Sequence, residues 1–181
     1  FPAGGRVIFT SGATEALNLA IRGAPGAGSI AVSAIEHAAV LDTARAVGDC
    51  HELAVDSDGL CHPDQDWPSD TRLFAIMQVN NEIGTIQPLN KWAASAARQG
   101  ALLLVDGVQA YGKLPLAEAD MIAVSAHKLH GPKGIGALWV CDGIMLAPQQ
   151  TGGGQEASLR SGTLSPALCA GFGAAAALAA T

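Results

Sequence analysis

The sequence predicts an α/β fold: a three-layer α/β/α domain built on a mostly parallel sheet of roughly seven strands. Three observations carry this. Apolar runs of strand length alternate with helix-length segments along the chain. The runs are apolar throughout instead of alternating, as at 73–77 and 101–105, which marks strands covered on both faces. Small and polar residues follow several of the runs directly, where open α/β sheets bind ligands beyond the carboxyl ends of their strands.

In chain order, residues 7–9 form a short strand and 14–22 a helix. A strand at 29–33 is followed by a helix at 38–47 and a further strand at 52–55. Residues 73–79 make a buried strand, 91–99 a helix and 101–105 the next strand. Strands at 121–124 and 135–140 come next, and a helix rich in alanine and glycine covers 166–180. The Pro/Gly-rich piece 147–154 is the most loop-like segment and is free to contact another part of the molecule or another subunit.

Composition narrows the function. Hydrophobic residues make up 49% and charged residues 14%, so the chain can bury a core and fold. A net charge of −6 without runs of like charge offers no patch for nucleic acid or a membrane surface. The apolar stretch 170–180 is too short to span a bilayer. Cys50, Cys61, Cys141 and Cys169 are scattered, with no CxxC pair. The Cys50-His51 and Cys61-His62 doublets are too loosely spaced for a metal centre, so no metal is expected, and the setting predicted is reducing and cytoplasmic. The opening Phe1-Pro2-Ala3 and the alanine-rich close suggest a piece of a longer protein.

The chemistry concentrates at a few points. Ser125-Ala126-His127-Lys128, followed by Gly131-Pro132-Lys133-Gly134, puts a lysine on a glycine-rich turn between two apolar runs. A lysine so held, if partly desolvated, can form a Schiff base with a carbonyl. Asp106 ends an apolar run, and a buried carboxylate needs a partner, whether a helix N-terminus or a protonated ligand nitrogen. Ser11-Gly12-Ala13-Thr14-Glu15 reads equally as an anion-binding helix start and as an ordinary cap. His37 stands at a strand-to-helix junction, where it could cover a flat ring and move protons or simply cap a helix. Asn80-Asn81 marks a turn first and a ligand contact second. Arg160-Ser161-Gly162-Thr163 offers a guanidinium and a hydroxyl for phosphate or carboxylate.

Together these segments resemble the cysteine desulfurases, pyridoxal 5′-phosphate (PLP) enzymes of the aminotransferase class V group, in the branch serving nitrogen fixation and iron–sulfur assembly. The matching stretches are 10–15, 36–42, 79–84, 105–109, 125–134, 152–156 and 160–164. The resemblance implies the PLP-transferase large domain over 1–181, with the family's N-terminal segment and small C-terminal domain outside it. It implies that Lys128 binds PLP as a Schiff base and shuttles the substrate α-proton. Asp106 would pair with the pyridine nitrogen, His37 would stack on the ring as acid/base, and Gln109 would bond the ring oxygen. Asn81 would orient cofactor or substrate. Ala13, Thr14, Ser125 and His127 would hold the phosphate, and Thr163 would reach the phosphate of a neighbouring subunit in a homodimer. L-cysteine would become L-alanine, with sulfur passed as a persulfide to an acceptor or scaffold protein. None of the four cysteines has a setting suited to the persulfide thiol.

Two other readings remain. One is another class V PLP enzyme, such as a selenocysteine lyase or aminotransferase. The other is a non-catalytic scaffold that keeps the fold. A dinucleotide-binding fold is disfavoured, because no GxGxxG follows the first strand.

Overall fold

The computed structural model describes residues 1–180. A single sheet contains β1 (Gly5–Thr10), β2 (Ile30–Ser33), β3 (Cys50–Leu53), β4 (Leu73–Met77), β5 (Leu102–Asp106), β6 (Met121–Ser125) and β7 (Gly136–Cys141). Their spatial order is β1-β7-β6-β5-β4-β2-β3. All neighbouring pairs are parallel except those made by β7, which is antiparallel to both β6 and β1. The link from β6 to β7, residues 126–135, is too short for a helical crossover, so the chain must turn straight back. Because β7 is reversed against both neighbours, β1 points the same way as the parallel strands. Its end at Thr10 therefore joins theirs on one edge of the sheet.

Helices α1 (Ala13–Gly23) and α2 (Ala38–Val47) cover one face, and α3 (Leu89–Gln99) and α4 (Pro166–Ala179) the other. The pleat divides the apolar strands between the two cores. Leu73, Ala75 and Leu104 face Leu17, Ile21 and Val40, whereas Phe74, Ile76, Leu103 and Val105 face Trp92 and Ala96. The second core is anchored by aromatics: Trp92 lies 5.3 Å from Phe74 and 5.7 Å from Trp67, ring centre to ring centre. Helix α4 is held mainly by Phe172, which meets the edges of Phe9 and Tyr111. None of the described helices is long and apolar enough to cross a membrane.

The predicted elements are all present, with shifted ends. β4 stops at Met77 because the chain then makes its own small turn, with Val79 bridged to Ile86 and Gly84 N–H donating to the Asn80 carbonyl at 3.1 Å. β3 lies earlier than 52–55, since pairing with β2 sets Ile30 opposite Cys50 and Ser33 opposite Leu53. Helix α3 starts at Leu89, just after Pro88, and ends at Gly100, whose φ of 70° is the left-handed stop that glycine adopts without strain.

One glycine matters for the site. A Cβ on Gly136 would lie 2.6 Å from both the Gly12 carbonyl carbon and the Val124 oxygen. Gly136→Ala is therefore expected to cost about 1–3 kcal/mol through overpacking. Urea denaturation measures this, and unchanged stability would show that the turn at Gly12 yields freely.

Candidate functional site

A cleft of about 510 Å³ opens along the edge where β1, β4, β5 and β6 end. Ala13, Thr14, His37, Asn81, Asp106, Gln109, Ser125, His127 and Lys128 all line it, although they come from five separate stretches of chain. Thr163 does not line it and is exposed on the loop before α4.

At one end of the cleft stands the N-terminus of α1. Gly12 is its N-cap, and no side chain accepts from the first-turn N–H groups. These donors and the helix dipole favour an anion there. Glu15 does not fill the role of a cap for them; it turns back and accepts the N–H of Ser11 at 2.6 Å. Its other oxygen accepts from Arg160 Nε at 2.7 Å. Arg160 is thus engaged by a carboxylate of this same chain, which answers what the sequence left open for it. Burial opposes ionisation of Glu15, but the hydrogen bonds from Arg160 and Ser11 outweigh it and hold the carboxyl below its usual range. The ion pair also offsets a negative charge that would otherwise repel an anion at the helix start. Next to this end, Ser125 Oγ and His127 Nδ1 are 2.9 Å apart and joined by a hydrogen bond.

Also on the cleft wall, Asp106 closes β5 and is buried. Its Oδ1 accepts from Val108 N–H at 3.0 Å, and its Oδ2 has no partner among the described residues. Burial pushes its pKa up, opposed by the Val108 hydrogen bond and the nearby His37. A cationic donor in the cleft would favour the ionised form. His37 is the N-cap of α2, and its Nδ1 accepts from Ala39 N–H at 3.0 Å. That bond assigns the ring proton to Nε2. Gln109 accepts from Lys113 Nζ through its amide oxygen at 3.2 Å, which leaves the amide NH₂ as a donor. The two asparagines divide the work. Buried Asn80 builds the turn, accepting from Glu82 and Ile83 and donating to Ile35, while exposed Asn81 lines the cleft.

Lys128 sits on a one-turn helix, Ala126–Leu129, that follows β6 directly. It is exposed and makes no ion pair or hydrogen bond among the described residues, so these residues do not supply the partial desolvation anticipated for it. Its amino group is available, once deprotonated, to a carbonyl compound in the cleft.

Some contributors escaped the sequence reading. Lys133 and Gly134 also line the cleft, as do Met77, Val79 and Val108. The Glu15–Arg160 pair joins residues 145 positions apart, which no local pattern could signal. No cysteine lines the cleft. Burial pushes the Cys61 thiol up to about 12 and also raises that of Cys50, so neither is poised as a thiolate. No group of three or more metal-binding side chains converges among the described residues.

The site thus combines an anion cradle, an amine and a buried carboxylate around one cleft. This set suits a flat, phosphorylated heteroaromatic aldehyde with a basic ring nitrogen. Comparison with known proteins agrees. Residues 2–181 match the aminotransferase class-V family. A mitochondrial cysteine desulfurase of Candida albicans is 45% identical over 190 residues, covering 95% of this chain and 39% of the relative. A solved NifS-like protein superposes with a TM-score of 0.90 at 34% identity, over 96% of this chain and 53% of that one. A structure of SspA in complex with cysteine gives a TM-score of 0.89 at 38% identity, over 94% and 55% of the respective chains. The chain therefore spans about two fifths to about half the length of these relatives.

Proposed function

The chain belongs to the aminotransferase class-V family, and from that premise we propose that it forms the PLP-binding core of a cysteine desulfurase. The observation that carries this reading is the convergence of Lys128, Asp106 and the uncapped start of α1 on one cleft. The residues fit the cofactor. The first-turn N–H groups of α1, with Thr14, Ser125 and His127, suit its phosphate. The partnerless Oδ2 of Asp106 suits its ring N–H, and the Gln109 NH₂ suits its ring oxygen. When bound, PLP supplies an electron sink that stabilises negative charge at the substrate α-carbon.

The chain's own residues do the rest. Lys128 Nζ holds the cofactor between turnovers and moves the substrate α-proton. Asp106 would pair with the ring N–H and so keep a bound ring protonated and electron-withdrawing. His37, on the cleft wall, would cover the ring and offer its Nε2 proton, while Nδ1 stays committed to α2. Asn81 orients the substrate. The overall change is L-cysteine plus a thiol giving L-alanine plus a persulfide. The thiol sulfur bonds to the cysteine sulfur, the carbon–sulfur bond breaks with its electrons remaining on carbon, and that carbon takes a proton. Since no cysteine here lines the cleft, we assign the thiol to a part of the protein beyond these residues. Sulfur would then pass to an acceptor or scaffold protein of iron–sulfur assembly.

Exposed Thr163, outside the cleft of its own chain, fits a role at the phosphate of a second copy, and hence a homodimer. Four free thiols fit a reducing compartment, for which we propose the cytoplasm, although the Candida relative is named as mitochondrial.

The test uses the full-length protein with added PLP and L-cysteine. Alanine and persulfide sulfur should appear together in equal amounts. Asp106→Asn should lower turnover by roughly 10²–10⁴-fold and weaken the cofactor's visible absorption, because a neutral amide does not hold the ring proton. Turnover of L-selenocysteine but not L-cysteine would instead assign a selenocysteine lyase. A full-length protein that neither binds PLP nor acts on either substrate would favour the scaffold reading.

A further inference from the structure

Glu36 is the buried ionisable group whose place in this chemistry is unassigned. Its side chain lies behind the cleft, 5% exposed, on the short link between β2 and α2. Its Oε1 accepts from Met77 N–H at 2.7 Å, and its Oε2 has no hydrogen-bond partner among the described residues. No lysine or arginine pairs with it.

Its position bears on Asp106 in two ways. First, Met77 stands opposite Asp106 in the β4–β5 register, and the next N–H, that of Gln78, donates to the Asp106 carbonyl at 2.9 Å. The backbone gripped by Glu36 is therefore the backbone that seats Asp106. Second, the charge of Asp106 acts on the Glu36 carboxyl. The other ionisable groups around Glu36 are the Cys61 thiol, packed from the loop before β4, and the adjoining His37. Neither offsets a charge on Glu36: Cys61 is buried, and His37 acts on Asp106 but not on Glu36.

Two buried carboxylates within electrostatic reach of each other, with no cation paired to either, are costly to charge together. Asp106 has a cleft from which a cation can reach it; Glu36 has a single backbone N–H and an oxygen with nothing to accept from. We propose that Glu36 is a positioning residue acting as a neutral carboxylic acid: its carbonyl oxygen clamps the Met77 backbone that seats Asp106, and its retained proton leaves Asp106 the single negative charge at that end of the cleft. Burial, the largest influence, pushes the Glu36 pKa well above its ordinary value, with the Asp106 charge acting in the same direction.

The clamp rests on the PLP reading only for what Asp106 pairs with; the proton on Glu36 is measurable without any cofactor. The first experiment is infrared spectroscopy of the cofactor-free full-length protein at neutral pH, carrying carbon-13 in its glutamate carboxyls. An acid carbonyl band that shifts with the label and vanishes in Glu36→Gln is expected. Its absence means an ionised Glu36 and overturns the proposal, whatever becomes of the enzyme assignment.

The second experiment measures PLP affinity and the pH dependence of the bound cofactor's absorption. Glu36→Gln keeps an acceptor for Met77 N–H and adds no charge, so affinity should stay within about twofold and the profile should not move. Glu36→Ala orphans the Met77 N–H, and affinity should fall about tenfold or more. A glutamine variant as impaired as the alanine variant, or an alanine variant that binds like the wild type, would sink the clamp. If the alanine variant fails to fold, the glutamine variant and the infrared band still decide the matter.

Discussion

Lys128→Ala in the full-length protein is expected to abolish turnover while leaving the fold intact. Borohydride reduction of the PLP-loaded wild type should fix the cofactor on the peptide that carries Lys128, and the variant should show no such adduct. Lys128 is asked both to hold the cofactor and to move a proton, and the proton transfer alone is worth about 10²–10⁴-fold. A loss of at least about 10³-fold is therefore expected, measured as alanine released per minute. The structure separates this loss from any effect on folding. The side chain is exposed on a one-turn helix and has no hydrogen bond or ion pair to lose among the described residues. Its removal should change stability by no more than about 0.5 kcal/mol. Lys133, which also lines the cleft, is the internal control: an adduct on Lys133 in place of Lys128 would overturn the assignment.

The second large effect lies far from the chemistry. Trp92 is fully buried between α3 and the sheet, against Phe74 and Trp67, and its Nε1 donates to the Cys61 carbonyl at 2.9 Å. Trp92→Ala removes a fully buried indole from that core and strands the carbonyl. The cost should be about 3–5 kcal/mol, a large share of the roughly 5–15 kcal/mol that holds a domain folded. With a urea slope of about 2 kcal/mol per molar, the unfolding midpoint should drop by about 2 M. Turnover per folded molecule should survive, since Trp92 is not among the residues lining the cleft. A midpoint shift below about 0.5 M would mean that Trp67 and Phe74 collapse into the space, and the proposed anchoring role of Trp92 would fail.

These two residues show how differently a site and a core are written in a chain. The layers were legible because a strand covered on both faces must be apolar along its whole length, as Leu73–Met77 and Leu102–Asp106 nearly are. The helices were legible as segments between the apolar runs, and in the structure α3 is closed by Gly100 and α4 opened by Pro166. Ends were less legible, because pairing moves them: the register with β2 draws β3 back to Cys50, and the turn at Asn80 cuts β4 short at Met77.

Most cleft residues were found from the sequence because each follows a strand, and the carboxyl ends of parallel strands gather on one edge. The contacts beneath them were not. Glu15 and Arg160 lie 145 positions apart, and Glu36 and Met77 lie 41 apart. Neither pairing shows until the strands are set side by side.

The sequence by itself determined that this chain would build a covered, mostly parallel sheet and line its edge with a lysine, a carboxylate and a small-residue turn before a helix, since residue pattern and strand-end chemistry are local properties. Only the tertiary structure decided that Arg160 would be taken by Glu15, that His37 would keep its proton on Nε2, and that Glu36 would be sealed behind Asp106 with one oxygen unpartnered. Partner choice and burial depend on which distant residues the fold brings within a few ångströms. The energies of charges and hydrogen bonds are fixed at that range, by the water excluded and the neighbours gained.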